Sequence, residues 1–331
     1  MHNLLKDFYY SRQAPAQRMA LHERAAEFYS IYSNGGIEGT YHLFKAGDFE
    51  TGIVNLLSRG NGWLRQGYVD EVLNLIELIP EYLEGPEERY GIEFLTASAQ
   101  DLLGDWNGAS DHYGICFELA RESESPEREA MVLRRQGAIL YRRGEVEGAR
   151  KIFDKALEVL GDSNERLQAR IHGSLGVALW ALGKAQLARE AHETDLAIST
   201  GAHDDEGIAR ALNNLGILDW ESGDFGQALE RYSPALEIAE RLGDKKLVSI
   251  LYSNIGDVLR SRGDVDEARR YYERCLELAE DLKFNWQIAE AHRGLAQVTE
   301  KKEKHLQRAL AIFKRLGAEE DVKSVKQMMD R

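Results

Sequence analysis

Leu212-Asn213-Asn214-Leu215-Gly216, followed by Gly223-Asp224-Phe225-Gly226-Gln227-Ala228 and then by Tyr232 and Ala235, is the stretch that decides the fold. Apolar residues on either side of Gly223 recur at helical spacing. A glycine can take φ > 0 at a helix C-terminus, and the Asp224 carboxylate suits the N-terminus of the next helix. Gly216 and Ala228 are small, so two antiparallel helices can approach closely there. Tyr232 is large and is expected to fill the gap to the neighbouring hairpin.

The same register recurs in both directions. Turn glycines stand at Gly104, Gly144, Gly183, Gly223 and Gly263, at intervals of 40, 39, 40 and 40 residues. Small residues precede them at Ala97, Gly137, Gly176, Gly216 and Gly256. Alanine follows at Ala109, Ala149, Ala188, Ala228 and Ala268, and a ring at Tyr113, Phe153, His192, Tyr232 and Tyr272. A further slot holds Cys116, Ala156, Asp195, Ala235 and Cys275. A hairpin of this kind cannot bury both its faces alone, so the units stack. Looser copies flank the array, at Gly47-Asp48 with Gly52 and at Gly67-Tyr68 with Val72. Towards the C-terminus Ala296 and Ala309-Leu310 continue the register, while the turn near Glu300–Glu303 has lost its glycine. Pro234 falls inside a helix, where it is expected to produce a kink.

These residues resemble the tetratricopeptide repeat (TPR), in its longer-helix form. The expected fold is all-α, a right-handed superhelix of stacked antiparallel helix hairpins with a period near 40 residues. About eight hairpins are expected: junction helices and short degenerate hairpins over 1–86, the TPR array over 87–317, and a capping helix over 318–331.

The N-terminal segment carries a second resemblance. His2-Asn3-Leu4-Leu5-Lys6-Asp7-Phe8-Tyr9-Tyr10 precedes Leu21-His22-Glu23-Arg24-Ala25-Ala26-Glu27-Phe28-Tyr29, then Tyr41-His42-Leu43-Phe44-Lys45-Ala46-Gly47-Asp48. That order is similar to the junction between winged helix and helical repeats in STAND-type NTPases of the maltose-regulon-activator kind. The resemblance implies a sensor module whose NTPase and winged-helix half lies elsewhere, with His22 and His42 as packing residues. The nucleotide-binding loop itself does not occur here: Gly176 to Gly183-Lys184 has the wrong spacing, and Ala185 lacks the metal-binding hydroxyl.

Composition narrows the function. The 331 residues are 43% hydrophobic and 30% charged, with a net charge of −14, which argues against general nucleic-acid or anionic-membrane binding. No apolar run approaches the ~20 residues of a membrane span, and no signal-peptide pattern opens the chain. Two cysteines make no disulfide framework, so a reducing cytoplasm is the expected location. No H-E-x-x-H, C-x-x-C or Gly-x-Ser-x-Gly spacing is present, so neither catalysis, a metal nor a cofactor is expected.

What remains is a binding surface. In TPR arrays the first helix of each hairpin lines the concave face, which here would present Arg134, Tyr141, Arg170, Trp180, Arg210, Asn213, Asn214, Trp220, Asn254 and Arg260. Arg135 and Arg293 join these rows, and Asp257 and Glu221 are the acids expected to interrupt the central stretch. Asn can pair bidentately with a backbone amide and Arg with a carboxylate, which suits a protein or extended peptide ligand. By resemblance to the long-helix variants, Asn214 and Asn254 would hold the ligand backbone. A carboxylate-bearing tail over residues 126–262 is the expected ligand. The competing reading packs Trp180 and Trp220 against their own hairpins. At the level of function the alternative is a stand-alone TPR adaptor; a peptide-pheromone regulator ranks below both, because no DNA-binding helix-turn-helix precedes the repeats.

Overall fold

A computed structural model describes residues 12–32, 36–80 and 85–330. The segment His2–Tyr10 of the junction motif lies outside them. Seventeen helices and no strands occur among the described residues, and the chain divides into two compact units.

The first unit takes residues 1–64 and 68–99. It contains α1 (Pro15–Tyr32), α2 (Ile37–Ala46), most of α3 (Phe49–Gln66), α4 (Val69–Ile76) and the start of α5 (Pro86–Leu103). Gly47 holds φ 85° at the end of α2, and the Phe44 ring lies against Gly52 of α3. Val72, in the alanine slot, is fully buried. His22 and His42 face each other with Nδ1 atoms 2.6 Å apart, and Tyr29 stacks on His42. Burial, then the nearby Lys45 charge, lowers the His22 pKa.

The second unit takes residues 65–67 and 100–331. After α6 (Trp106–Glu122) come five hairpins. They are α7 (Pro126–Arg142) with α8 (Val146–Leu160), α9 (Glu165–Ala181) with α10 (Ala185–Gly201), and α11 (Asp205–Glu221) with α12 (Phe225–Leu242). Then come α13 (Lys245–Arg262) with α14 (Val265–Asp281), α15 (Asn285–Val298) with α16 (Lys302–Leu316), and the last helix α17 (Glu319–Met329). Each hairpin packs on the next.

The turn chemistry follows the sequence. Gly104, Gly144, Gly183, Gly223 and Gly263 hold φ between 73° and 91°. Asp105 and Asp224 accept hydrogen bonds from the backbone N–H of Gly108 and Gln227, satisfying helix-start donors. Ala149, Ala188, Ala228 and Ala268 are fully buried. The aromatic slot adds a contact within each hairpin to the expected one between hairpins. Phe153, His192 and Tyr232 lie on Gly137, Gly176 and Gly216 of their own hairpins, and Phe153 and Tyr232 also belong to core clusters that include Leu167 and Leu251 of the next hairpins. Tyr272 does both, touching Gly256 and Gly294. The glycine is small because the ring of its partner helix occupies the space a Cβ would need. Pro234 lies within the continuous α12. Thr299, extended at φ −133° and ψ 156°, replaces the lost glycine between α15 and α16.

One set of contacts joins distant parts of this unit. Asn285 Nδ2 donates to the carbonyl of Leu103 at 2.7 Å, and Arg315 donates to Asn285 Oδ1 at 2.7 Å. Trp286 packs between Trp106 and Phe313, with centroids 6.0 and 5.4 Å away. The Leu316 side chain lies directly on Gly104. The turn before α6 is thus seated on the start of α15 and the end of α16.

Candidate functional site

The first helices α7, α9, α11 and α13 carry the predicted residues on one register. Arg134, Tyr141, Arg170, Trp180, Arg210, Asn214, Trp220, Asn254 and Arg260 are all half-buried, and Asn213 is buried. Asn254 Nδ2 donates to Asn213 Oδ1 at 2.8 Å, and Asn213 Nδ2 to Asn214 Oδ1 at 3.4 Å, so the asparagines form a chain across two hairpins.

Neither tryptophan stands free. Trp180 packs on the cluster of Leu179, Ala188, Ala191 and Leu218. Trp220 packs on a core that runs from its own hairpin into the next ones and donates from Nε1 to Ser261 Oγ at 3.0 Å. Tyr141 is brought near Asp321 and Glu290; burial, then those two charges, pushes its pKa up to about 12.

Most of the arginines already have partners. Arg170 pairs with Glu206 at 3.2 Å, Arg210 with Asp195 at 3.3 Å and Arg260 with Asp257 at 3.6 Å. Arg293 reaches both Glu290 and Asp321. The central stretch therefore holds more acid than Asp257 and Glu221: Asp195 and Glu206 stand inside it, each bound to an arginine of the row. Arg134 is different. Its Nε is buried without a hydrogen-bond partner, as are those of Arg135 and Arg260, and among the described residues no ion pair holds the Arg134 guanidinium. Burial first, then the like charge of Arg135, Arg170 and Arg210, pulls its pKa well down.

Three features were missed from sequence. Asp195 fills a slot that holds Ala or Cys in other repeats and is fully buried, reaching across to Arg210. A carboxylate in that slot was the visible signal. Asp101 is bound by Arg142, with Nη2 to Oδ2 at 3.0 Å, and it also feels Lys246, whose pKa falls to about 8 through burial. Glu290, Arg293 and Asp321 cluster because α17 folds back, and nothing in the repeat register signals that. Burial raises the Glu290 pKa to about 7.

Cys116 and Cys275 are buried and free. Burial pushes the Cys275 thiol up to about 12, away from nucleophilic character. Among the described residues no three His, Cys, Asp or Glu side chains are grouped to hold a metal, and no helix is long and apolar enough to cross a membrane.

Residues 167–241 and 247–316 match the family model described as tetratricopeptide repeat. The fold is that of a TPR solenoid. The crystal structure of a Rap protein complexed with competence and sporulation factor is similar over 95% of this chain and 91% of that one, with a TM-score of 0.61 at 14% identity. The Rap conjugation gene regulator of the plasmid pLS20, in complex with the Phr* peptide, is similar over 84% of this chain and 88% of that one, with a TM-score of 0.63 at 15% identity. At such identities the likeness is one of fold. No curated protein matches the chain.

Proposed function

We propose that this TPR protein is a non-enzymatic module that captures an extended peptide or protein segment along α7, α9, α11 and α13. The observation that carries this reading is the single register of half-buried Arg, Asn, Tyr and Trp side chains on those four helices. Backbone-pairing asparagines and guanidinium groups read an extended chain without requiring it to fold. The Phr* peptide bound by the Rap regulator of pLS20 supports the ligand class. The finer reading is a sensor of a STAND-type NTPase, in which ligand capture shifts the array between conformations and so restrains or releases the nucleotide-binding half. Its support is the order of motifs from His22 to Asp48. A stand-alone adaptor would use the same surface without that coupling.

The test is selection of a displayed library of unstructured peptides against the full chain. Selected peptides should lose affinity when Tyr141→Ala is combined with Asn214→Ala, with the fold intact by circular dichroism. Peptides insensitive to that double change would move the binding surface to the convex side or the ends. For the sensor, a Gly-rich phosphate loop ending in Lys-Ser or Lys-Thr, encoded in frame upstream, is the expected finding.

A further inference from the structure

We infer that α17 is a proton-gated end piece of the second unit: Glu290, Arg293 and Asp321 form its seat, and that seat loosens as the solution turns from acid to neutral. The inference does not depend on what the first helices bind. α17 follows Gly317, which holds φ 70°. Val325 is its one buried side chain, so apolar burial holds it only weakly. Charge supplies the rest. Arg293 of α15 donates from Nη1 to Asp321 Oδ1 at 3.4 Å, and from Nη2 to Glu290 one turn back. One cation is thus shared between the carboxylate that α17 brings and one already on α15.

Asp257 of α13 adds a third carboxylate to the field of Arg293. It has Arg260 at 3.6 Å and accepts from the Tyr272 hydroxyl at 2.7 Å. With all three carboxylates ionised, two arginines leave one negative charge uncompensated. The other neighbours do not offset it. Tyr141 of α7 and Cys275 of α14 are neutral, their pKa values pushed up to about 12. Glu320 adds a like charge beside Asp321 and pairs with Lys323. His305 of α16 meets His292, which lies roughly 200° around α15 from Glu290.

A proton on Glu290 removes the excess and leaves Arg293 to Asp321. Burial raises the Glu290 pKa to about 7, with Arg293 opposing and Asp321 and Asp257 adding. When α17 lifts, Asp321 leaves with it, Arg293 serves Glu290 alone and water enters. The Glu290 pKa then falls towards its ordinary value. The seated form therefore holds the proton more tightly than the open one, so the proton favours the seat. The seat is firm in acid, weakens as pH rises towards about 7 and levels off above it. Glu320 lies over Gly144, so lifting α17 also frees the turn between α7 and α8.

The experiment is amide exchange of residues 319–329 in the full chain, divided at each pH by exchange of the free peptide 317–331. Protection should fall about tenfold or more between about pH 5 and about pH 7 and change little above that, while α11 loses none. Glu290→Gln carries the neutral form at every pH and should keep α17 at its acid-side protection throughout. A purely structural ion cluster predicts that Glu290→Gln lowers protection at every pH, and that result would overturn the inference. So would wild-type protection that is flat or rises with pH, or a fall that persists in Glu290→Gln. If Glu290→Gln does not fold, Asp321→Asn decides: without the like charge the fall should shift to lower pH, and an unchanged curve sinks the proposal.

Discussion

His203 holds φ 50° at the turn between two hairpins, and Glu124 and Lys283 hold 51° and 52° at equivalent turns. Gly243, at the same place one period on, holds 66°. The glycines within hairpins were legible in the sequence because the residue type announces the conformation. These outer turns were not, because three of the four carry a side chain there. An L residue in that region costs about 1–2 kcal/mol, and glycine's extra chain entropy returns about 0.5–1 kcal/mol of that. Replacing exposed His203 by glycine should therefore stabilise the protein by about 0.5 kcal/mol, read as a higher urea midpoint at constant slope.

His192 is one residue-scale source of acid sensitivity, as is His292, whose pKa burial also lowers to about 4. His192 stands in the slot of Phe153 and Tyr232, and burial, then the charges of Arg210 and Arg189, lowers its pKa to about 4. The unfolded chain therefore binds a proton that the folded one refuses between pH 6.5 and about 4. Stability contributed by the neutral ring is full above pH 6.5 and is lost as pH falls through that window, by up to about 3 kcal/mol. His192→Phe should flatten that part of the stability–pH curve, and an unchanged slope would show that the ring is not shielded. The sequence showed His192 in an aromatic position but not its burial.

At the scale of the element, the hairpin is fixed by one ring on one glycine. A Cβ on Gly216 would stand 2.5 Å from the Tyr232 ring, which is 1% exposed and cannot move aside. Helix propensity favours alanine over glycine by about 1 kcal/mol, but overpacking of a closed core costs about 1–3 kcal/mol. Gly216→Ala should be net destabilising, whereas Gly226→Ala, with no close neighbour but Asp224, should stabilise. Thermal melts of the two variants, opposite in sign, check this. The period and the small positions were readable because they repeat. The partner of each ring was not, because one sequence position serves equally for a contact within a hairpin or between hairpins. The same limit explains the site: the rows were placed by register, but which arginine lacks a partner depends on Asp195 and Glu206 reaching across from other helices.

At the scale of the molecule, most solenoids hold only contacts between neighbours, so their stability sums along the chain. Asn285 breaks that rule in the second unit by binding Leu103 and Arg315 together. Asn285→Ala leaves the Leu103 carbonyl without its partner, at a local cost of about 1–3 kcal/mol. Amide exchange should then quicken in residues 103–107 and 314–318 while α10 to α12 stay protected. Equal protection in both variants would mean that the two turns merely touch.

The seating of Leu316 on Gly104 has a further consequence for how such a chain can change over generations. An open array gains or loses a repeat freely, since each unit is matched only to the next. Here, excising one period from the middle would bring a different turn to the place where Gly104 now receives Leu316, with no complementary surface to meet it. The structure thus counts its own repeats.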